Sequence, residues 1–427
     1  MIKKILKISL IIILSLYVIY GIGRISVVNY DSYVHLEREP YTTNQTYDSI
    51  TIKWNTTQDE KSLLYFGEDI NQLKKVEIDK KVDKHLIKLT ELKECTKYYY
   101  KVISKYIDIN NQDRSFRTLC KQKEFQRIWV IGDSGQSGVN QDRVYTEFSD
   151  YIGFDYGKLD AWLLLGDNAY RSGTQEQYNR AMFRPYKDLV KRYTPWVLIG
   201  NHDQRRFTFD EIFDFPANGE TGGVPSGTEA YYSIDDGNIH LVMLDSERVN
   251  RDKDGNLAKW LEKDLESNKK PWVVVAMHSP AYTKGGHDSD DDGDSDGKLK
   301  DMRENFVPIF DKYGVDLVLS GHSHNYERSK LIYGHYGKSD TFSKEHIVND
   351  SDNFYDKSKS NKGTVYQVAG SSSKLDGASL DHPALPFSFN EMGSVILEVT
   401  STKLVSKFLN IDGEIKDQFT IIKEINE

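Results

Sequence analysis

Residues 321–328 read GHSHNYER and follow a short apolar run at 317–319 after one intervening serine. A short apolar run before a glycine is typical of a buried strand, so the polar residues after it lie at the carboxyl end of that strand. Open α/β sheets build their functional sites at this end. His322 and His324 are separated by one residue, and alternate side chains of an extended segment point the same way. Both imidazoles are therefore expected at one edge of a sheet.

The same arrangement occurs at four earlier places in the chain. Three motifs follow apolar runs at 128–131, 162–165 and 196–199, and a fourth closes its own run at 272–277; they are GDSG (132–135), GDNAY (166–170), GNHD (200–203) and VVVAMH (273–278). The five motifs together contain seven side chains suited to metal binding: Asp133, Asp167, Tyr170, Asn201, His278, His322 and His324. We expect them to form one site.

The residue types fit a site for two metal ions. A two-metal site needs a carboxylate that bridges both cations, and Asp167 is the expected bridge. Asn201 adds a neutral oxygen, which limits the negative charge and leaves room for an anionic substrate. A single motif of this kind is more often structural than metal-binding. Here five motifs occur in order, and none of the ligand positions is substituted.

The motifs resemble those of the metallophosphoesterases and, in detail, those of the purple acid phosphatases: GDxG, GDxxY, GNH(D/E), VxxH and GHxHxYER. Many metallophosphoesterases have a metal-binding histidine where this chain has Gly135, and Tyr170 is the replacement typical of purple acid phosphatases. The resemblance implies Fe(III) bound by one set of ligands and Zn, Fe(II) or Mn bound by another. The first set is Asp133, Asp167, Tyr170 and His324, and the second is Asp167, Asn201, His278 and His322.

The resemblance also implies an activity, the hydrolysis of phosphomonoesters by attack of a metal-bound hydroxide. His202 is the expected general acid, with Asp203 as the residue that orients it. His287 resembles a histidine that contacts substrate in plant members of the family, and the alternative is an exposed loop histidine. Two other functions stay open: a phosphodiesterase or nucleotide hydrolase of the same superfamily, and a cell-surface binding protein whose metal site is structural.

Two domains are predicted after the N-terminal segment. Residues 30–120 should form a small β-sandwich, because apolar and polar residues alternate around Ile50, Ile52 and Trp54. Leu92 and Tyr98 resemble the tyrosine corner of fibronectin type III domains. Residues 125–427 should form a four-layer α/β metallophosphoesterase domain, with two packed mixed sheets between helices. Further strands are predicted at 240–244 and 316–319, a helix at 257–265, and a second sheet that contains 365–368 and 395–399.

The two cysteines, Cys95 and Cys120, fall at opposite ends of adjacent predicted strands. Antiparallel strands would bring them to the same pole of the sandwich. A disulfide, which fits an oxidising compartment, and two free buried thiols are the two interpretations.

Residues 1–29 have the layout of a signal peptide or of an uncleaved single membrane anchor. Lys3, Lys4 and Lys7 precede an uncharged run at 8–23. Either interpretation places the rest of the chain outside the cytoplasm, as a periplasmic, secreted or outward-facing anchored protein.

Charge also limits the set of partners. The net charge of the 427-residue chain is −9, which argues against a nucleic-acid-binding surface and leaves a small phosphate ester as the expected partner. No feature of the sequence bears on the oligomeric state.

The segment HDSDDDGDSDG (287–297) is expected to be a solvated, mobile loop, with a calcium site as the alternative. Its charge should disfavour highly anionic substrates.

Overall fold

The computed structural model describes residues 36–109 and 111–424, together with Ile13, Ser15 and Val18. Apart from these three positions, the predicted signal peptide or membrane anchor at 1–29 lies outside the described residues. Within the described part of the chain, no helix has the length and apolar character needed to cross a membrane.

The N-terminal region is entirely β-structure. Its strands are β1 (Arg38–Thr43), β2 (Ile50–Gly67), β3 (Lys74–Leu89), β4 (Lys97–Ile103) and β5 (Ser115–Arg117). All pairs are antiparallel, in the order β1-β2-β4-β5 with β3 also on β2. A register shift between Asn55 and Glu60 divides β2 into two halves, of which the first pairs with β1 and the second with β4. Strand β2 therefore continues well past the predicted alternation at Ile50, Ile52 and Trp54, because pairing with β3 keeps its polar middle extended.

The core of this region follows the predicted alternation. Ile50, Ile52 and Trp54 are fully buried. The backbone N–H of Lys93 donates a hydrogen bond of 2.9 Å to the Tyr98 hydroxyl, and Leu92 is buried beside it. This contact confirms the predicted tyrosine corner.

The second region contains two mixed seven-stranded sheets. Sheet I has the order β16-β21-β20-β19-β6-β7-β8, and its strands are β6 (Gln126–Ile131), β7 (Ala161–Leu164), β8 (Pro195–Val197), β16 (Phe354–Asp356), β19 (Gly393–Val399), β20 (Lys403–Asn410) and β21 (Ile415–Ile422). Sheet II has the order β18-β13-β17-β12-β11-β10-β9, and its strands are β9 (Tyr231–Asp236), β10 (Ile239–Leu244), β11 (Trp272–Met277), β12 (Leu317–Ser320), β13 (Tyr326–Arg328), β17 (Val365–Ala369) and β18 (Phe387–Phe389). A separate pair is β14 (Leu331–Ile332) with β15 (Ile347–Asn349).

Seven α-helices connect these strands. They are α1 (Val139–Tyr151), α2 (Gln175–Tyr178), α3 (Lys187–Val190), α4 (Thr208–Ile212), α5 (Asn256–Ser267), α6 (Lys298–Asp301) and α7 (Val307–Tyr313) in the described residues. Short 3₁₀ and π turns occur at Tyr156–Lys158, Asn179–Phe183, Asp203–Arg205, Asp294–Gly297, Met302–Phe306, Ser339–Thr341 and Lys344–His346. Helix α5 confirms the helix predicted at 257–265.

The layers follow from the two-residue period of the strands. In β11, Trp272, Val274 and Ala276 face the core that sheet I shares with sheet II. The alternate residues, Val273, Val275 and Met277, face a second core that contains residues of helices α5 and α7. Sheet II therefore has sheet I on one face and helices on the other, which confirms the predicted fold class.

The strands predicted at 365–368 and 395–399 do not share a sheet. Strand β17 pairs in parallel with β12 of sheet II, whereas β19 pairs antiparallel with β6 of sheet I. Apolar content alone predicted both strands but could not assign their partners, because pairing depends on contacts distant in sequence.

The two cysteines form a disulfide, with their Cα atoms 4.4 Å apart. Cys95 lies just before β4 and Cys120 just after its antiparallel neighbour β5. The backbone N–H of Cys120 donates to the Asp236 carboxylate at the end of β9. The disulfide therefore lies where the N-terminal region meets sheet II.

Replacing both cysteines, as Cys95→Ser with Cys120→Ser, should lower the free energy of unfolding of the N-terminal region. The expected loss is about 3 kcal/mol, because the bond closes a loop with a sequence separation of 25 residues in the unfolded chain. Calorimetric unfolding of variant and wild type measures the difference, and wild type with added reductant is the control. Equal stability in all three samples would contradict this assignment.

Candidate metal centre

Parallel strand pairs bring the predicted ligands to one edge of the two sheets. Strands β6, β7 and β8 run parallel in sheet I, and β11 and β12 run parallel in sheet II. Directly after β6, β7 and β12, the residues Asp133, Asp167 and His322 have φ angles of 53°, 53° and 71°. This left-handed region is uncommon for residues other than glycine, and such strain persists where the surroundings hold it in place.

The glycines of the motifs permit this close approach. A Cβ atom on Gly166 would lie 2.4 Å from His278 Nδ1, and one on Gly200 would lie 2.2 Å from an Asp167 carboxylate oxygen. Both distances are far below van der Waals contact. The glycine directly before each of these two ligands therefore has a steric cause: the backbone of one strand end touches the side chain of another.

One half of the site contains Asp133, Tyr170 and His324. The Tyr170 hydroxyl donates to Asp133 Oδ1 over 3.1 Å and lies 3.1 Å from His324 Nε2. His324 Nε2 is 3.4 Å from the same Asp133 oxygen. Three potential ligand atoms from three different loops therefore converge.

The other half contains Asn201, His278 and His322 around Asp167. His278 Nε2 lies 3.2 Å from Asn201 Oδ1 and 3.6 Å from Asp167 Oδ1. The ring centroids of His278 and His322 are 5.0 Å apart. One ligand atom each of Asp133, Asp167 and His278 lies within 4.8 Å of the others, so the two halves are contiguous. The structure thus brings all seven predicted ligands together.

Hydrogen bonds on the far side of two histidines direct their lone pairs into the site. His278 Nδ1 is 2.8 Å from the Leu165 carbonyl oxygen, and His324 Nδ1 is 2.5 Å from Asp376. In each neutral ring Nδ1 therefore carries the proton, and each Nε2 faces the carboxylates. Oxygen and nitrogen atoms this close need shared protons or a bound cation between them.

The pKa values agree with an excess of negative charge. Burial lowers the pKa of His278, but the charges of Asp167 and Asp133 outweigh it and raise the value to about 9. The pKa of His324 is likewise raised to about 9, because hydrogen bonds to Asp133 and Asp376 outweigh burial. Burial and the two aspartates raise the pKa of Tyr170 far above its usual value. The cluster therefore takes up protons, and metal cations of the type that binds oxygen and imidazole ligands would replace them.

His202 lies beside this cluster, but Asp203 does not orient it. His202 Nδ1 is 2.7 Å from the Arg171 carbonyl oxygen, and His202 Nε2 is 3.9 Å from Asp167. Asp203 is buried and accepts hydrogen bonds from the Tyr178 hydroxyl and from the backbone N–H groups of Gly200 and Asn168. The predicted role of Asp203 is therefore wrong, because its carboxylate holds the loops that carry the ligands.

His287 is also brought to the site. Its ring stacks on that of His322 with centroids 3.8 Å apart, and its Nδ1 is 2.7 Å from Asp294. His287 lines a cleft together with Asn201, His322, Gln204, Arg205, Ser295, Asp296 and Lys298. Cations and one aspartate thus border the cleft, so the predicted exclusion of highly anionic substrates loses its basis.

The acidic segment 287–297 is not a simple solvated loop. Lys284 lies 2.7 Å from Asp288 and 2.9 Å from Asp290, and Lys338 lies 3.2 Å from Asp292. These ion pairs offset the repulsion between the aspartates. They also engage the carboxylates that the calcium alternative would have required.

The segment 370–376, GSSSKLD, completes the site and was missed in the sequence. Asp376 holds His324, and Lys374 Nζ lies 4.2 Å above the Tyr170 ring. The backbone N–H of Gln136 donates to Ser373 Oγ. The segment directly follows β17, so the strand-end rule applied to the strand predicted at 365–368 would have found it.

Comparison with known proteins relates this site to a family. Residues 126–326, which include all seven ligand candidates, match the calcineurin-like phosphoesterase family. Purple acid phosphatase 22 of Arabidopsis thaliana is 30% identical over 274 residues, which make up 62% of this chain and 57% of that protein. Purple acid phosphatase 18 of the same plant is 29% identical over 228 residues, or 51% of this chain and 48% of that protein. The chain therefore spans about half the length of the curated relatives it matches.

A solved structure has the same fold. Purple acid phosphatase PPD1 from seeds of yellow lupin (Lupinus luteus) superposes with a TM-score of 0.71 at 19% identity, over 90% of this chain and 74% of that one. The match spans both the β-region and the two-sheet region. Residues 126–326 therefore match the calcineurin-like phosphoesterase family, and the chain as a whole is similar to the purple acid phosphatases.

Proposed function

We propose that this chain is an extracytoplasmic acid phosphatase that hydrolyses small phosphate monoesters with two metal ions. One observation carries the proposal: potential ligand atoms of Asp133, Asp167 and His278 lie within 4.8 Å of one another, although they come from both sheets. Acceptor atoms this close suit a pair of cations, which leave positions open for an anionic substrate.

Each ion would have its own set of side chains. Fe(III) would be held by Asp133, Asp167, Tyr170 and His324, because a phenolate favours a hard, oxophilic ion. Zn, Fe(II) or Mn would be held by Asp167, Asn201, His278 and His322. When bound, the two ions neutralise the phosphoryl oxygens and acidify water, so that a nucleophile is present near neutral pH.

His202 would protonate the leaving oxygen. Its Nδ1 is held by the Arg171 carbonyl oxygen, so its Nε2 is the nitrogen that faces the site, 3.9 Å from Asp167. The ring also packs edge-to-face on Tyr170, with centroids 4.6 Å apart. Two contacts thus support a fixed orientation for proton transfer to the substrate.

The substrate would bind in the cleft beside Asn201. His287, Arg205 and Lys298 line this cleft and carry hydrogen-bond donors suited to phosphoryl oxygens. Small phosphate esters are therefore the proposed substrates, and a diester or nucleotide is the competing class within the same superfamily.

The proposed organisation follows the predicted boundaries: a signal peptide or anchor at 1–29, a fibronectin III-like domain at 30–120 and a catalytic domain at 125–427. The disulfide between Cys95 and Cys120 supports an oxidising, extracytoplasmic location.

Removing the bridging carboxylate of Asp167 should abolish activity and metal binding together. The purified chain should hydrolyse p-nitrophenyl phosphate, and Asp167→Asn should lose turnover and both metals because Asp167 contacts both halves. His278→Ala should chiefly lose one ion. Elemental analysis and steady-state assays measure these outcomes.

Retained turnover in Asp167→Asn would contradict the assigned bridge. Faster hydrolysis of bis(p-nitrophenyl) phosphate than of the monoester would favour the phosphodiesterase. Bound metal without turnover of either ester would favour a binding protein with a structural metal site.

The identity of the first ion has a visible consequence. If Tyr170 binds Fe(III), the oxidised protein should absorb broadly in the visible range, and Tyr170→Phe should remove this band while far-UV circular dichroism stays unchanged. A colourless wild type that contains only Zn or Mn would exclude the iron assignment.

Substrates with different leaving groups can show whether His202 donates a proton or binds phosphate. His202→Ala should keep both metals and lose about 10²–10⁴-fold in kcat on an alkyl phosphate, the usual size of a general acid contribution. The loss on p-nitrophenyl phosphate should be much smaller, because nitrophenolate leaves with little need of a proton. Equal losses on the two substrates would assign His202 to phosphate binding instead.

A further inference from the structure

The acidic segment 287–297 reaches the metal centre through two of its residues. The Ser295 hydroxyl lies 2.6 Å from His322 Nε2 and donates to Asp294 Oδ1 over 2.7 Å. The same Asp294 oxygen is 2.7 Å from His287 Nδ1. A continuous chain of hydrogen bonds therefore joins an expected metal ligand, His322, to the cleft residue His287.

The backbone of this segment is held in an uncommon conformation. Ser295 and Asp296 have φ angles of 53° and 59°, and Gly297 follows with 77°. Two successive non-glycine residues in the left-handed region cost energy that a simple connection would avoid with glycine. Strain of this kind is found where the surroundings hold a side chain in place for a reason. Here the side chain held is the Ser295 hydroxyl against His322.

We propose that Ser295 and Asp294 are positioning residues. Ser295 orients the expected metal ligand His322, and Asp294 orients the cleft residue His287. The Ser295 hydroxyl oxygen accepts a hydrogen bond from the N–H at His322 Nε2, so Nδ1 would keep its lone pair for the second metal ion. Asp294 accepts a hydrogen bond from the N–H at His287 Nδ1 and holds that ring stacked on His322, facing the cleft for the substrate phosphate. This inference rests on the proposed function and assigns the acidic loop a role within it.

Two replacements of Ser295 separate the effect of its hydroxyl from the effect of its backbone conformation. Ser295→Ala removes the hydroxyl and keeps the strain, whereas Ser295→Gly removes the hydroxyl and suits the φ angle. Both should weaken one of the two metals by about 10–100-fold, the usual effect of losing a partner of a ligand histidine. Elemental analysis after dialysis of the metal-loaded protein against graded chelator measures the loss.

Two outcomes would overturn the role of Ser295. If both variants retain metal as the wild type does, the hydroxyl is not needed. If Ser295→Ala loses metal while Ser295→Gly retains it, the loop acts only through its backbone conformation.

Inorganic phosphate tests Asp294 directly. Asp294→Ala should keep both metals and weaken phosphate binding by calorimetry about tenfold, the value of one hydrogen bond that orients a donor. Asp294→Asn should restore most of this affinity, because its amide oxygen still accepts from His287 Nδ1. Asp291→Asn is the matched control, since Asp291 lies on the same loop and its side chain accepts from Gly293 N–H.

Unchanged phosphate binding in Asp294→Ala would overturn the proposal, and equal weakening in the Ala and Asn variants would assign Asp294 a role through charge instead of position. If the wild type binds no metals and hydrolyses no ester, both the proposed function and this inference are contradicted. If the wild type is active and the Ser295 and Asp294 variants bind metal and phosphate as it does, only this inference is contradicted.

Discussion

The burial of Asp133 and Asp167 at the joint edge of the two sheets is the constraint around which the rest of the site is arranged. A buried carboxylate is costly unless hydrogen bonds and opposite charges compensate it. The His322 backbone N–H donates to Asp133 over 2.7 Å, and the His202 backbone N–H donates to Asp167 over 2.8 Å. Burial acts to raise the pKa of Asp133, yet His324 and His278 bring it below its usual value. Asp133 is therefore kept charged in a place where cations are the natural complement.

This constraint explains features that look unrelated in the sequence. The left-handed turns at Asp133 and Asp167 aim the carboxylates into the site, and the glycines before Asp167 and Asn201 let neighbouring strand ends touch. Carbonyl and carboxylate partners behind His278 and His324 set which nitrogen faces inward. The turns, the glycines and the histidine partners thus all serve the same charged cluster.

The seven ligand candidates were predictable because each is local to a strand end, and parallel strands must place those ends side by side. Contacts that depend on the three-dimensional fold were not predictable from the sequence. Asp203 looked like the neighbour of His202, yet the carbonyl oxygen of Arg171 takes that place and Asp203 supports the loops. The acidic loop looked like a solvated segment because its charges were visible, whereas its ion pairs with the preceding Lys284 and the distant Lys338 depend on how the chain folds. The prediction that β17 and β19 share a sheet was wrong for the same reason, because they belong to different sheets.

The division of the ligands between two sheets has a consequence for the order of events in biogenesis. Asp133, Asp167 and Asn201 follow strands of sheet I, while His278, His322 and His324 follow strands of sheet II. An unfolded chain holds these groups too far apart to compete for an ion, so the complete site arises only when the two sheets have packed. We therefore expect metal loading to come after folding. A chain exported in unfolded form would have to take its metals from the compartment in which it folds.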